Sequence, residues 1–111
     1  MKRIRGNYHT LHILKNAKPK LRKAIISEGG KEIINTIKDC VLNVLVGRIP
    51  LSTCLQRKLQ KYKLALRRLA DKRVSHSAKK RLVIQKGGFL LPLLTSILPI
   101  VASVIFRSQS T

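Results

Sequence analysis

Carboxylates are nearly absent from this sequence. Its 111 residues hold Glu28, Glu32, Asp39 and Asp71 against 24 lysines and arginines, a formal charge of +20. Those four acids fall mostly on helix ends and faces, and the three histidines show no ligand spacing. Serines lack a G-x-S-x-G setting, and neither Gly29-Gly30 nor Gly87-Gly88 runs into Lys-Ser or Lys-Thr. No catalytic residue, metal site or cofactor is expected, and the chain does not read as an enzyme. Aromatics are scarce too, with two Phe, two Tyr and no Trp. That limits the core and removes the stacking platforms single-stranded nucleic acid needs. Two cysteines, Cys40 and Cys54, make neither a disulfide framework nor a zinc site. Cys40 falls on an apolar helical face and reads as a small buried thiol, which fits a reducing compartment, cytosolic or nuclear. Behind Met1-Lys2-Arg3-Ile4-Arg5 there is no apolar run, so no secretory signal is expected.

What is abundant is positive charge. The first 88 residues carry 23 bases and four acids, a net +19. Such density opposes compaction by self-repulsion and is tolerated best beside a polyanion. Nucleic acid is the first candidate, an anionic membrane surface the second, and a merely solvated basic face the third.

In chain order, the pattern predicts an all-α protein: a small helical region of about three helices with a basic arm, a basic linker and a C-terminal apolar helix. Residues 1–16 read as a flexible basic arm with a short apolar cluster at Leu11, Ile13 and Leu14. Residues 17–71 read as a small bundle. Pro19 starts its first helix, with Leu21, Ala24, Ile25 and Glu28 on one face and Gly29-Gly30 as the stop. Ile33, Ile37, Cys40, Val41, Val44 and Leu45 stripe the second, closed by Gly47 and Pro50. The third runs from a Thr53-x-x-Gln56 capping box to about Asp71, with Leu55, Leu59, Tyr62, Leu66 and Leu69 as a core stripe. Residues 72–88 lose the apolar period at Ser75-His76-Ser77 and read as a basic linker. From 57 to 86 there are twelve bases, Arg57, Lys58, Lys61, Lys63, Arg67, Arg68, Lys72, Arg73, Lys79, Lys80, Arg81 and Lys86, against Asp71 alone, a local +11. These twelve are the candidate nucleic-acid contacts. Without a base-reading motif, they point to sequence-independent binding of a phosphate backbone.

At Gly87-Gly88 the chain changes character, because Phe89–Phe106 is 18 residues without a charge. As a helix that stretch spans about 27 Å, just short of a hydrocarbon core of about 30 Å, and Pro92 and Pro99 interrupt it. The glycine pair has three readings: a hinge, a plain turn, or a protease site lying extended in a narrow cleft.

The stretch Gln85-Lys86-Gly87-Gly88-Phe89-Leu90-Leu91-Pro92-Leu93-Leu94, with Lys79-Lys80-Arg81 before it and an Ile/Val/Ala/Ser-rich tail behind, resembles the precursor of the adenovirus core protein mu (pX). It is also similar to the small core genes of adintoviruses and Maverick/Polinton elements. The likeness covers roughly residues 79–106. It implies a virion minor core protein that condenses double-stranded DNA, located in the virion and host nucleus. It further implies cleavage by a viral cysteine protease after Gly88, with Gln85, Gly87 and Gly88 before the cut and Phe89 after it. Gln85 departs from the Met, Ile or Leu usual at its place. The apolar tail, residues 89–111, is expected to dock through 89–106 on capsid protein or membrane, and the alternative is a membrane-anchored or membrane-active protein at a host membrane. Residues 17–71 have no counterpart in the resemblance.

Overall fold

Cap residues and apolar spacing turn most of the chain into short helices, seen in a computed structural model that describes residues 2–109 and side chains through Phe106. In order these are α1 (Lys2–Gly6), α2 (Tyr8–Asn16), α3 (Pro19–Glu28), α4 (Gly30–Leu45), α5 (Thr53–Gln60), α6 (Lys63–Ala70) and α7 (His76–Gln85). A 3₁₀ turn at Gly87–Phe89 then leads into α8 (Leu90–Gln109). No strand occurs among the described residues. The all-α class and the C-terminal apolar helix are as expected. The number of helices is not, since eight stand among the described residues where about three and the apolar tail helix were predicted.

α4 is the best-marked amphipathic helix. Ile33, Ile34, Ile37, Cys40 and Val41 are buried and Val44 is half-buried. Leu45 stays 43% exposed because the last turn buries Asn43 instead. The helix closes as a Schellman motif. The Arg48 amide donates to the Asn43 carbonyl at 3.0 Å and the Gly47 amide to Val44 at 3.1 Å. Gly47 adopts φ +79°, open to glycine without strain. Thr36 and Asn43, buried on the same helix, return hydrogen bonds to the Glu32 and Asp39 carbonyls.

The centre of the molecule is the apolar tail. Phe89, Leu90, Leu93, Leu94, Ile97, Leu98 and Val101 supply about a third of the buried apolar side chains among the described residues. α8 packs against α1, α2, α4 and α5, while α7 packs on α3, α4 and α6. α4 thus touches both groups. Pro92 falls in the first turn of α8, where its missing amide has no intrahelical role. Pro99 lies inside the helix without ending it. The Cα radius of gyration is 13.4 Å, that of an ordinary compact chain of this length. Burial of α8 therefore outweighs the repulsion among the bases around it.

Four expectations are corrected. First, residues 1–16 are not a flexible arm. Among those described, α1 and α2 bury Ile4, Leu11 and Leu14. Arg3 holds them down: its Nη1 donates to Asp39 Oδ2 at 3.0 Å and its Nε lies 3.7 Å from Glu32 Oε1. Asn7 Nδ2 donates to the same Glu32 oxygen at 3.2 Å. Second, residues 72–88 are not a linker. Ser75, which breaks the apolar period, is the N-cap of α7, its Oγ accepting from the Ala78 amide at 3.2 Å. Val83 and the side chain of Lys79 fill the inward face. Third, α3 is rotated from its expected face. Ile26 is buried with Ile25 half-buried, whereas Leu21 is 53% exposed. Fourth, the long third helix splits. The Tyr62 amide tightens onto the Leu59 carbonyl at 2.9 Å, so α5 can pack on α8 while α6 packs on α4 and α7. Its cap is Ser52 rather than Thr53, since Ser52 Oγ accepts from the Leu55 amide at 3.2 Å. Of the expected tail, Ser110 and Thr111 lie outside the described residues, as does Met1 of the arm.

Two outcomes follow from this packing. A chain ending at Gly88 lacks α8 and Phe89, so its far-UV circular dichroism should show loss of most helix relative to the full chain; retention of the full helical signal per residue would contradict a core built on α8. The second concerns Cys40, whose thiol is pushed up from 9.0 to about 12, first by burial and then by the charge of Asp39. The unfolded chain ionises this thiol near pH 9 while the folded chain keeps it neutral. Its contribution to stability is therefore intact below pH 9 and lost progressively between pH 9 and 12. In denaturant titrations across that window, the wild type should lose stability relative to Cys40→Ala at up to about 1.4 kcal/mol per pH unit.

Candidate nucleic-acid interface

Helix formation decides which bases face water. Arg57, Lys58 and Lys61 project from the outer side of α5 and its end, Lys63, Arg67 and Arg68 from α6, and Arg81 from α7; Lys72 and Lys86 flank α7. All are exposed. Lys80 is half-buried. Two of the twelve differ from the rest. Lys79 is only 8% exposed. Burial lowers its pKa, the positive charge of Lys38 adds to this, and Asp71 opposes it, so its ammonium is poorly placed to meet a phosphate. Arg73 is exposed but occupied. It donates from Nε to Asp71 Oδ1 at 3.2 Å and from Nη2 to Oδ2 at 3.1 Å, and its backbone amide adds a third bond at 2.9 Å. Those hydrogen bonds hold the Asp71 carboxyl below its usual range and raise the Arg73 guanidinium.

The fold separates the remaining bases into two groups. Arg57, Lys58 and Lys61 ride on the helix that packs against α8. Those of α6 and α7 lie together, because α6 and α7 are in contact across the short Asp71–Ser75 connection. α3 joins this second group by packing on α7. Its exposed Lys18, Lys20 and Lys23 were not among the sequence candidates. Arg22 comes closest to the junction, its Nε 3.5 Å from where a Cβ on Gly87 would stand. The signal for α3 was in the sequence, four bases in six residues at 18–23, but contact with α7 could not be read from it.

Carboxylates do little to neutralise this surface. Among the described residues, ion pairs join Arg3 to Glu32 and Asp39, and Arg73 to Asp71. Three of the four acids are thus taken up by two arginines, and the exposed bases of α3, α5, α6 and α7 form no ion pair.

The Gly-Gly junction is not an extended strand. Gln85 ends α7, Gly87–Phe89 forms the 3₁₀ turn, and Phe89 is fully buried. Tyr62, at the α5–α6 break, covers the turn. Its ring lies 6.2 Å from that of Phe89, and its hydroxyl would stand 2.6 Å from a Cβ on Gly88. At Gly87 the nearest such atom is Arg22 Nε at 3.5 Å, an ordinary contact. A side chain at residue 88 would therefore have to push the Tyr62 hydroxyl aside, whereas residue 87 has room for one.

Gly87–Phe106 is the one stretch among the described residues long and apolar enough to cross a membrane, with mean hydropathy 2.4, and half of it is buried within the fold. Comparison with protein families, with curated proteins and with solved structures finds no match to this chain.

Gly88→Ala should lower stability by about 1 kcal/mol, the low end of the cost of overpacking, because the added methyl meets a side-chain end rather than backbone. Adding Tyr62→Phe removes the obstructing oxygen and should recover most of that loss, while Gly87→Ala should be nearly neutral. Denaturant midpoints of wild type, Gly88→Ala, Tyr62→Phe and the double variant test this as a double-mutant cycle; additive losses would show that the hydroxyl is not the obstacle.

Proposed function

We propose that this is a virion minor core protein that binds and condenses double-stranded DNA without sequence specificity. The observation that carries this reading is the surface of α3, α5, α6 and α7, whose exposed bases have no carboxylate partner among the described residues. Lysine and arginine in that state neutralise phosphates and release condensed counterions. α3, α5, α6 and α7 carry no Phe, Tyr or Trp, and Tyr62 between α5 and α6 is half-buried on Phe89, which favours the duplex over single strands. The partners are double-stranded DNA and, for maturation, a viral cysteine protease cutting after Gly88. The setting is the virion and the host nucleus.

The fold adds a condition to maturation. A protease that reads an extended Gly-Gly must first open the 3₁₀ turn and draw Phe89 out from under Tyr62. The cut then separates the basic helices from the helix that fills their core. In this reading the tail holds the basic body folded before cleavage, and docking on capsid protein through 89–106 competes with that packing.

A second reading rests on the hydropathy of Gly87–Phe106: a membrane-active protein whose bases lie against anionic headgroups. It requires the bundle to open, because half of that segment is buried.

Binding of the full chain to duplex DNA of unrelated sequences should be equally tight. With six or more phosphate contacts, affinity should fall by about 10³-fold or more between 50 and 200 mM salt. Affinity that is flat across that range would end the electrostatic reading. Mass spectrometry of mature particles should find a chain ending at Gly88; survival of the full chain alone would end the processing part. Dye release from anionic vesicles under conditions where duplex is not bound would transfer the assignment to the membrane reading.

A further inference from the structure

We infer that the cleft between α6 and α7 is a discrete phosphate site, holding one backbone phosphodiester between Arg68 and Arg81. This rests on the duplex-binding reading above and gives that diffuse surface a fixed point. The cleft has a volume of about 210 Å³ and is lined by Arg68, Ala78, Arg81, Leu82 and Gln85.

Three observations distinguish it from the rest of the basic surface. Two arginines from different helices line one cavity, and neither forms an ion pair among the described residues. The acid closest to Arg68 in sequence, Asp71, is bound on both oxygens by Arg73 and cannot neutralise them. Finally, the rest of the lining is Ala78, Leu82 and the amide of Gln85, so no carboxylate opposes an anion there, and Gln85 offers N–H donors.

Two like charges facing one cavity repel each other, and a phosphate placed between them turns that repulsion into attraction. Guanidinium suits the task better than ammonium, because its planar fork donates two parallel hydrogen bonds to two phosphate oxygens. The helices are fixed relative to each other by packing and by the short Ser75-capped connection, so the backbone positions that carry the two arginines are set before the phosphate arrives. Lysines elsewhere on the surface lack this arrangement and bind as independent point charges.

A charge-conserving comparison tests the site. At fixed salt, Arg68→Lys with Arg81→Lys in the full chain should weaken duplex binding about five- to tenfold, although net charge is unchanged. The matched control, Arg5→Lys with Arg48→Lys, exposed arginines outside the proposed duplex-binding surface, should stay within twofold of wild type. Circular dichroism checks that both variants fold. Independently, inorganic phosphate titrated into the wild-type chain should saturate NMR shifts at the Arg68 and Arg81 Nε–H and the Gln85 side-chain amide. Equal duplex affinity in wild type and the Arg→Lys variant, or phosphate shifts spread evenly over the surface bases, would overturn the site and leave diffuse duplex binding standing. Saturable local shifts in a chain that fails to bind duplex would do the reverse, keeping the site and ending the DNA reading.

Discussion

Burial of α8 among helices that carry nearly all the positive charge is the constraint on which the rest of the structure depends. A chain of formal charge +20 has a strong reason to expand, and no other segment has a comparable density of apolar side chains. Leu90, Leu93, Leu94, Ile97, Leu98 and Val101 each remove an aliphatic side chain from water, worth about 1.5–3 kcal/mol apiece before entropy. The surrounding helices are short, α1 having five residues and α5 and α6 eight each, and helices of such length are not stable alone. α1 and α5 persist on the surface α8 gives them, and α6 on that of α4 and α7.

The acids do complementary work. Glu32 and Asp39 lie one above the other on α4 and together capture Arg3, tying the N-terminal helices across the bundle. These pairs are partly exposed, and such pairs contribute little energy; what they supply is registration, fixing which face of α1 meets α4. Asp71 serves the α6–α7 turn in the same way through Arg73. Acids used for registration leave the outer faces of α3, α5, α6 and α7 unbalanced, so the cationic surface results from where the few carboxylates were placed as much as from the number of bases.

Helical class and the inward stripes of α4, α5 and α6 were legible in the sequence because their apolar positions recur cleanly at 3.6-residue spacing. α7 was not, for an identifiable reason. Lys79 occupies a core-facing position, which interrupts the period, and Ser75 looks like a breaker although it is a cap. α1 and α2 escaped notice because Gly6-Asn7 separates Ile4 from Leu11 and Leu14, leaving too few apolar residues on either side to show a period. The break at Tyr62 carries no glycine or proline and follows from tertiary packing, as two halves of one stripe seek different partners. Most of the basic surface was legible residue by residue. Its grouping was not, since the adjacency of α3, α6 and α7 belongs to the fold, as do the loss of Lys79 to the interior and of Arg73 to Asp71.

The position of α8 also has a bearing on biosynthesis. In sequence it follows every helix it packs against, and its pairing with α1 and α2 joins the two most distant parts of the chain. Non-local closure of this kind is slow, because the entropy of the intervening loop is lost before any contact is gained. The ribosome therefore releases the lysine- and arginine-rich segments before the side chains that compact them exist. For that interval the bases of α1 to α7 lack the apolar surface that α8 later gives α1, α2, α4 and α5, and the contacts open to these helices are chiefly those among α3, α4, α6 and α7 and of α1 with α4.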